Sequence, residues 1–382
     1  MRVLVTGGAG YVGSHVAWAL AESGHAVTVF DDLSEGHRAA AGKLPLIQGD
    51  ILSAEDLGRA FKRTGAEAVV HMAAKCLVEE SVRQPALYWR ANVVGGLRVL
   101  AAMQRAGAGL MVFSSSAAVY GQPDRELIDE RAPREPCNPY GRTKLVFEQA
   151  LADHAAVAGC QLPVASNRQP PSGSRLKARA ARAACRPDEG SRPGATDGVQ
   201  GHWPGRFVAL RYFNAAGAHA SGQIGEDHPV ETHLVPNLLK AALSGGAEPL
   251  KIFGTDYPTP DGTAVRDYVH VEDLARAHVL ALEYLAGGGG SFAANLGTGR
   301  GSSIREVLAA ARQVTGRDFP AKEAPRRAGD PARLVASNAL AREKLGWEPR
   351  RSLQDVIASA WKWHSEHPAG FADRAAPRSK KK

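Results

Sequence analysis

Two residue types that can share a proton stand four positions apart in the segment from Pro139 to Lys144. If this segment is helical, Tyr140 and Lys144 lie on one face of the helix, one turn apart. Free tyrosine titrates near ~10, so it is a poor base at neutral pH. A lysine ammonium one turn away favours the phenolate and lowers the pKa of the tyrosine. The pair therefore predicts proton exchange with a hydroxyl group of a substrate.

A serine cluster supplies a third member for this pair. Ser116 ends a run of three serines that follows the apolar segment Leu110 to Phe113, which is typical of a buried strand. The carboxyl ends of parallel strands are where α/β sheets bind ligands. We therefore expect Ser116 to contact the same substrate hydroxyl as Tyr140. The alternative is that the serines only cap a turn.

A glycine loop near the N-terminus predicts how a cofactor is held. Gly7, Gly10 and Gly13 stand between a predicted strand over residues 2–7 and an apolar helix that ends near Gly24. Such a loop permits tight turns, and the following helix offers amide donors and its positive dipole end to a pyrophosphate. The alternative is a flexible turn. Its place directly after the first strand favours a dinucleotide site.

An acidic residue after the second predicted strand indicates which dinucleotide binds. The strand runs from Ala26 to Phe30 and is followed by Asp31 and Asp32. A carboxylate at this position accepts hydrogen bonds from the ribose hydroxyls and repels a 2′-phosphate, which favours NAD over NADP. A third strand over residues 46–48 leads to Asp50, which we expect near the adenine.

The remaining pattern predicts a doubly wound parallel Rossmann sheet with a smaller C-terminal substrate-binding domain. Near-continuous apolar strands alternate with amphipathic helices, which is typical of parallel α/β sheets. Ser303 and Glu306 form a capping box for a helix that runs to Gly316. The other predicted strands cover residues 68–73, 110–113, 207–210 and 293–297, and the other predicted helices cover residues 86–105, 269–285 and 351–367.

Charge and composition exclude several classes of function. The formal net charge of +8 is confined to residues 160–205 and 372–382, so we expect no nucleic-acid partner. No apolar run is long enough to span a bilayer, and no leader precedes the first strand, so we expect a cytoplasmic protein. We expect no metal, since His270 and His278 suit ordinary packing on their predicted helix. The cysteines, which show no metal-binding or disulfide spacing, are Cys76, Cys137, Cys160 and Cys185.

One stretch departs from this globular pattern. Residues 160–205 are rich in Arg, Pro, Ala, Ser and Gly, and they have no helical or strand period. We expect them to form a disordered basic insertion, because they cannot bury enough apolar surface to offset the entropy of ordering. A basic partner-binding arm and a misread stretch of sequence are the alternatives. We expect residues 161–204 to be dispensable for catalysis and residues 371–382 to form a disordered basic tail.

The motifs together resemble one family. The chain is similar to the extended short-chain dehydrogenase/reductases and, among them, to the UDP-glucose 4-epimerases. Outside residues 160–205 and the final dozen, this resemblance runs from end to end. The motifs that carry it are Thr6–Ser14, Phe113–Gly121, Pro139–Lys144, Leu210–His219, Ile252–Tyr257 and Asp261–Val271. The first three mark the superfamily, and the later ones mark the epimerases.

The resemblance implies a role for each matching position. It implies that Ser116, Tyr140 and Lys144 are catalytic. It implies that NAD is bound by Gly7, Gly10, Tyr11, Val12, Gly13, Asp31, Asp32, Ser34, Gly36, Asp50, Ile51, Met72, Ala73, Ala74, Asn92, Tyr140, Lys144 and Phe213. It implies that the UDP-sugar is bound by Ser116, Tyr140, Asn214, His233, Leu234, Ile252, Phe253, Arg266, Tyr268, Arg327 and Asp330.

The resemblance also implies a domain division and an assembly. Residues 1–159, continued by 206–214 and about 266–297, would form the NAD-binding domain. Residues 215–265 and 298–370 would form the UDP-sugar-binding domain, and two chains would form a homodimer. Cys76 stands where some relatives have a lysine that contacts the cofactor.

The implied reaction is reversible hydride transfer at the sugar C4 through a 4-keto intermediate. Two features bear on the alternatives within the superfamily. Ala117 and Ala118 stand where dehydratases place carboxylates, which disfavours dehydration. Leu334 falls where a bulky aromatic excludes N-acetylated sugars, so we expect partial tolerance of those sugars. Two alternatives stay open: a reaction on a different UDP-sugar (N-acetylated, xylose/arabinose or uronate), and a non-catalytic nucleotide-sensing protein.

Overall fold

The computed structural model describes residues 1–159, 203, 205–245, 247, 249–327 and 330–371. Most strands follow the apolar runs of the sequence. The described strands are β1 Arg2–Thr6, β2 Ala26–Asp31, β3 Leu46–Gln48, β4 Ala68–His71, β5 Leu110–Ser116, β6 Arg206–Tyr212, β7 Asn214–Ala216, β8 Leu250–Phe253, β9 Val265–Arg266, β10 Tyr268–His270, β11 Phe292–Leu296, β12 Ser302–Ser303, β13 Ala321–Ala324 and β14 Arg333–Leu334.

The helices connect these strands and cover the sheet. The described helices are α1 Tyr11–Glu22, α2 Ala54–Thr64, α3 Val78–Arg83, α4 Pro85–Tyr88, α5 Gly95–Ala106, α6 Pro139–Gly159, α7 Leu234–Leu243, α8 Val271–Ala286, α9 Ile304–Thr315, α10 Ala339–Leu345 and α11 Leu353–Glu366. A π-helical turn covers Trp89–Val94. In the part of the chain that the structure describes, no helix has both the length and the apolar character needed to cross a membrane.

Seven parallel strands form the central sheet in the order β3-β2-β1-β4-β5-β6-β11. The strand order reverses between β1 and β4, which is the topological switch point at which such sheets bind ligands. Helices cover both faces of the sheet with their apolar sides: α1 and α8 pack on one face, and α2, α5 and α6 pack on the other. The predicted doubly wound Rossmann sheet is therefore confirmed.

A separate apolar cluster lies beyond the sheet. It is formed by α7, α9, α11 and β8, with Leu238, Val307, Phe319 and Ile357 at its centre. The Ser303–Glu306 capping box that starts α9 is present as predicted. We propose that this cluster is the core of the smaller substrate-binding domain, residues 215–265 and 298–370.

The strand predicted over residues 68–73 ends at His71. Three further predicted boundaries are wrong for reasons that the structure shows. β5 continues through Ser114–Ser116, because these serines pair in register with Leu210–Tyr212 of β6. The single helix predicted over residues 86–105 is divided by the π-helical turn. The helix predicted over 269–285 begins only at Val271, because Tyr268–His270 pairs with β7 as a strand.

The predicted ends of the two basic segments also need correction. Residues 160–202 lie outside the described residues, but Trp203 is 1% exposed and its indole Nε1 donates to the Ala108 carbonyl at 2.8 Å. Trp203 therefore belongs to the folded domain. Phe371, predicted to start the disordered tail, is buried and packs against Trp363 and His37. Residues 372–382 lie outside the described residues.

Candidate active site

A cleft of about 1760 Å³ runs along the carboxyl edge of the sheet toward the smaller apolar cluster. Small-molecule pockets commonly measure roughly 300–1,000 Å³, so this cleft has room for a dinucleotide and a second ligand. Nearly all predicted site residues line it. Those that do are Gly7, Gly10, Tyr11, Val12, Gly13, Asp31, Asp32, Ser34, Gly36, Asp50, Ile51, Met72, Ala73, Ala74, Ser116, Tyr140, Lys144, Phe213, Asn214, His233, Leu234, Phe253, Arg266, Tyr268, Arg327 and Asp330.

The glycine loop turns tightly between β1 and α1. Gly7 has a φ of +71°, and a Cβ there would lie 2.4 Å from the Ala73 nitrogen. A Cβ at Gly13 would lie 2.0 Å from the Gly7 carbonyl oxygen. Gly10 caps α1 without a side chain, and no acidic residue lies in the first turn. The free amides and the positive end of α1 therefore fit a pyrophosphate.

Asp31 ends β2 at the wall of the cleft. Its Oδ2 accepts a hydrogen bond from the Ala9 amide at 3.0 Å, and its Oδ1 accepts one from the Leu33 amide at 2.8 Å. Burial raises the pKa of this carboxyl above its ordinary value. Each oxygen keeps further acceptor capacity. The carboxylate is thus fixed by the backbone where ribose hydroxyls could donate to it.

The resemblance implied that Asn92 binds NAD and that Ile252 binds the UDP-sugar, but neither residue lines the cleft. The Asn92 side chain lies behind the loop that follows β4: its Oδ1 accepts from the Lys75 amide at 2.8 Å, and its Nδ2 donates to the Lys75 carbonyl and Thr143 Oγ1, both at 3.0 Å. It holds the loop in place rather than reaching into the cleft. Ile252 is 3% exposed and points into the smaller apolar cluster.

Ser116, Tyr140 and Lys144 converge at the cleft from two elements. β5 ends at Ser116, and α6 begins at Pro139, so the tyrosine and lysine lie in the first two turns of α6. The Ser116 hydroxyl forms a hydrogen bond with Tyr140 that lowers the pKa of the phenol. Lys144 Nζ lies 5.9 Å from the centroid of the Tyr140 ring. The Ser116 Oγ also accepts from the Ala118 amide at 3.2 Å, so this serine caps a turn as well.

The pKa of Tyr140 is raised, whereas the spacing of Tyr140 and Lys144 predicted that it would be lowered. Burial raises it well above its ordinary value, Cys76 and Tyr212 raise it further, and only the Ser116 hydrogen bond opposes them. Lys144 is not among the groups that lower this pKa, and its Nζ donates to the Ser114 carbonyl at 2.8 Å. Burial also lowers the pKa of Lys144 to about 8. A further positive charge beside the phenol would shift its pKa downward.

A buried polar network behind the site was missed by sequence reasoning. Glu148, one turn after Lys144 on α6, accepts from the Ser115 hydroxyl and pairs with Arg211 of β6. Arg211 also donates to the Tyr120 hydroxyl at 2.8 Å, and Tyr120 donates to Asn295 at 2.7 Å. The network joins α6 to β5 and β6, and so fixes the position of Tyr140 relative to Ser116. Local spacing gives no sign of it, since its partners are far apart in sequence.

The far wall of the cleft carries cationic side chains. The Arg266 guanidinium, from β9, pairs with Asp330. The Arg327 guanidinium lies 4.1 Å from the centroid of the Phe253 ring, within cation–π distance. Guanidinium groups bind diphosphates through a bidentate fork. This wall therefore suits an anionic nucleotide.

Phe213, Asn214 and Tyr268 lie between this wall and the sheet. Asn214 and Tyr268 are neighbours in register across β7 and β10, while Phe213 packs near Val119 and Tyr120. Tyr268 is mostly buried, which raises its pKa above its ordinary value.

The histidines considered for metal binding are used otherwise. The His270 Nε2 contacts Ser359 Oγ at 3.0 Å, and the His278 Nδ1 contacts the Leu274 carbonyl at 2.8 Å. A different group, which the sequence reasoning missed, lies in the loop before α7. Glu226, His228, Glu231 and His233 gather there, in a spacing of two, three and two residues that matches no familiar metal motif.

The sheet order, the glycine loop at the switch point and the Ser–Tyr–Lys group define a dinucleotide-dependent enzyme of the short-chain dehydrogenase/reductase type. The profile of the NAD dependent epimerase/dehydratase family matches residues 3–167 and 201–297. The chain belongs to this family, and the predicted resemblance is confirmed. The interruption of the match falls within the stretch predicted to be an insertion.

Several relatives match this chain over nearly its whole length. A UDP-glucose 4-epimerase of Lactobacillus helveticus is 44% identical over 378 residues, covering 98% of this chain and 100% of the relative. The solved UDP-glucose 4-epimerase of Brucella ovis in complex with NAD has a TM-score of 0.80 at 43% identity, covering 94% of this chain and 97% of that chain. The enzyme of Stenotrophomonas maltophila, solved with bound NAD and formylated UDP-arabinopyranose, has a TM-score of 0.82 at 38% identity, covering 96% and 99%.

Proposed function

We propose that this protein is an NAD-dependent isomerase that interconverts UDP-glucose and UDP-galactose at the sugar C4. The observation that carries the proposal is the convergence of Ser116, Tyr140 and Lys144 in the same cleft as the glycine loop. The full-length relatives named UDP-glucose 4-epimerase support the same reaction.

The cofactor site fits NAD in charge and in shape. The first turn of α1 would hold the pyrophosphate, and Asp31 would accept hydrogen bonds from the ribose hydroxyls and repel a 2′-phosphate. When bound, NAD⁺ supplies a two-electron acceptor that returns the electrons in the second half of the reaction, together with a positive charge. That charge favours the phenolate of Tyr140, whose pKa is raised by burial.

The protein's own part in the chemistry is to move one proton. Tyr140, as phenolate, accepts the proton of the sugar 4-hydroxyl and returns it after the 4-keto sugar has turned over. Ser116 donates a hydrogen bond to the same oxygen and keeps it within reach of Tyr140. Lys144 places its ammonium beside the phenolate, since at neutral pH a lysine with a pKa of about 8 is mostly protonated.

Binding of UDP is assigned to the far wall. Arg266 and Arg327 provide the positive charge for the diphosphate, while Phe253 supports the Arg327 guanidinium. The grip on the diphosphate is strong and directional. The reaction requires a weaker hold on the sugar, because the 4-keto sugar must present its other face.

The second candidate is a 4-epimerase of another UDP-sugar. It is favoured by the Stenotrophomonas relative, which was solved with formylated UDP-arabinopyranose. Dehydration is disfavoured because Ala117 and Ala118 offer no acid or base next to Ser116. A non-catalytic nucleotide-sensing protein is disfavoured because all three catalytic groups are present and assembled.

Assembly as a homodimer in the cytoplasm belongs to the same proposal. Trp89, Val94 and Leu97 leave 38–42% of their surface exposed around the π-helical turn and α5, which would suit a helical interface with a second copy. Light scattering of the purified protein measures the assembly: a mass of one chain would contradict it.

The decisive experiment incubates the purified protein with UDP-galactose and identifies the sugar released by acid. We expect glucose as the product, and NAD rather than NADP on denaturing the protein. In Tyr140→Phe, the rate should fall by ~10²–10⁴-fold with folding retained, because the proton acceptor is lost. Tyr284→Phe is the matched control, since Tyr284 packs on Phe292 outside the cleft. Near wild-type turnover in Tyr140→Phe would refute the mechanism, and an unchanged sugar would refute the function.

A further inference from the structure

Two imidazoles and two carboxylates meet in the loop Glu226–His233, between β7 and α7. Each of Glu226, His228, Glu231 and His233 offers one nitrogen or oxygen atom, and these four atoms all lie within 4.8 Å of one another. His228 Nδ1 lies 3.5 Å from Glu226 Oε1 and 3.4 Å from Glu231 Oε2. His233 Nδ1 lies 3.8 Å from Glu231 Oε1 and also contacts Glu226 Oε1.

We propose that these four side chains bind one divalent transition-metal cation, for which zinc is the best match. Around tetrahedral zinc with bonds of ~2.0–2.2 Å, neighbouring ligand atoms lie about 3.3–3.5 Å apart. The two gaps from His228 Nδ1, 3.4 and 3.5 Å, match that value, and the gap from His233 Nδ1 to the other Glu231 oxygen is slightly longer at 3.8 Å. His233 and Glu226 are hydrogen-bonded at shorter range, so a cation would replace the proton between them and move the two atoms apart. Two imidazole nitrogens with two carboxylate oxygens suit zinc better than magnesium or calcium, which prefer oxygen alone.

Charge and burial support a cation at this place. The side chains of Glu226 and Glu231 are only 3% and 6% exposed, and burying two carboxylates together requires compensating positive charge. One divalent cation supplies both charges and draws the four atoms together. Protons on both imidazoles could supply the same positive charge, and a metal would then bind only by displacing those protons.

The ligands are also held from behind, as metal ligands usually are. The His233 amide donates to Glu231 Oε1 at 2.8 Å, and Asn237 Nδ2 donates to the His233 carbonyl at 2.9 Å. Because all four ligands come from eight consecutive residues, assembling the site closes only a short loop.

The site adjoins the cleft without belonging to the catalytic group. Glu226, His228 and His233 line the cleft wall on the side of Leu234. His233 turns Nδ1 toward the carboxylates, so its Nε2 remains for contacts within the cleft. The cation would then fix the orientation of His233 and add positive charge near the nucleotide.

The test measures metal content and requires no substrate. Untagged wild-type protein is stripped with a chelator, incubated with zinc chloride, dialysed and analysed by mass spectrometry. We expect about one zinc per chain in the wild type, with a higher unfolding temperature than the stripped protein. In His228→Gln and in Glu231→Gln, zinc affinity should fall by ~10–100-fold or more, and the zinc-dependent rise in unfolding temperature should disappear.

His219→Gln is the matched control. His219 Nε2 also faces two carboxylates, 4.0 Å from Glu22 and 3.6 Å from Glu272, but it does not belong to a four-ligand group in the described chain. This variant should keep the zinc. The proposal is overturned if reconstituted wild-type protein holds no zinc, or if His228→Gln binds as much zinc as wild type. Neither result depends on the epimerase activity, and should a variant not fold, the wild-type zinc content alone decides.

Discussion

The buried pair Glu148–Arg211 allows the sharpest prediction about how the site is held. The two side chains are 4% and 3% exposed, and Arg211 Nε donates to both Glu148 oxygens at 2.9 and 3.2 Å, while Nη2 adds a further bond. Glu148→Gln keeps the shape of the side chain but removes its charge. The Arg211 charge is then buried without compensation, and the new amide directs a donor toward the guanidinium.

Breaking a buried ion pair from one side costs about 3–5 kcal/mol. Since whole proteins are stable by about 5–15 kcal/mol, Glu148→Gln should lose about a fifth or more of the free energy of unfolding. Equilibrium unfolding in urea measures this as a lower midpoint at an unchanged slope. Turnover should fall as well, because Glu148 joins the helix that carries Tyr140 to the strand that carries Ser116.

Two controls test whether the loss of stability comes from the burial of the ion pair or from the loss of an ion pair as such. Glu323→Gln removes one partner of the exposed pair Arg305–Glu323, which should cost under about 1 kcal/mol. The double variant Glu148→Met with Arg211→Met should recover much of the loss, since apolar replacement of a buried pair is often neutral. A cost of Glu148→Gln no larger than that of Glu323→Gln would show that the pair is not a buried support of the site.

Three further outcomes are expected. Lys144 has a pKa of about 8, below the ~10.4 of an unfolded lysine. Between these two values the unfolded chain binds more protons than the folded chain, so stability rises with pH by about 3 kcal/mol. Urea unfolding of Lys144→Met between pH 7 and 10 should lack this rise. Trp203→Ala should lower the free energy of unfolding by about 3–5 kcal/mol, whereas a short Gly/Ser linker in place of residues 168–200 should preserve turnover. A stable Trp203→Ala variant, or loss of turnover in the linker variant, would contradict the assignment of Trp203 to the folded domain and of 168–200 to the insertion. Leu334 lines the cleft, and Leu334→Tyr should lower the activity on N-acetylated UDP-sugars relative to UDP-glucose; an unchanged ratio would exclude Leu334 from the sugar pocket.

The fold could be predicted where the signals are local. Apolar runs punctuated by glycine gave β1, the loop and α1, and the capping box gave the start of α9. Where tertiary contacts decide, the prediction failed. Ser114–Ser116 extend β5 because β6 offers partners in register, although serine is not a residue typical of strands. Likewise, Gly96 allows α5 to approach α6, because a Cβ there would lie 2.5 Å from the Phe147 ring.

The same distinction between local signals and tertiary contacts applies to the residues of the candidate site. Tyr140, Lys144 and Ser116 could be found because two of them share a helical spacing and the third ends a strand of the same sheet. The Glu148–Arg211 pair could not, because its two members are far apart in sequence. The Glu226–His233 loop could not, because its residue spacing matches no familiar metal motif. Trp203 was wrongly assigned to the insertion for a related reason. One large apolar residue beside a long polar stretch barely changes the composition of that stretch, yet the burial of Trp203 shows where the folded domain resumes.

The pKa of Tyr140 shows why residue spacing alone does not determine the chemistry. Spacing places a lysine one turn away and predicts a lowered pKa, but the ammonium donates to the Ser114 carbonyl and burial raises the pKa of the phenol. Ser116 alone opposes this rise. Further positive charge in the cleft would lower this pKa and favour the phenolate, and oxidised NAD would bring such a charge. Binding of the electron acceptor would thus make Tyr140 a stronger base, and deprotonation of the sugar hydroxyl would be coupled to the presence of the group that takes up the hydride.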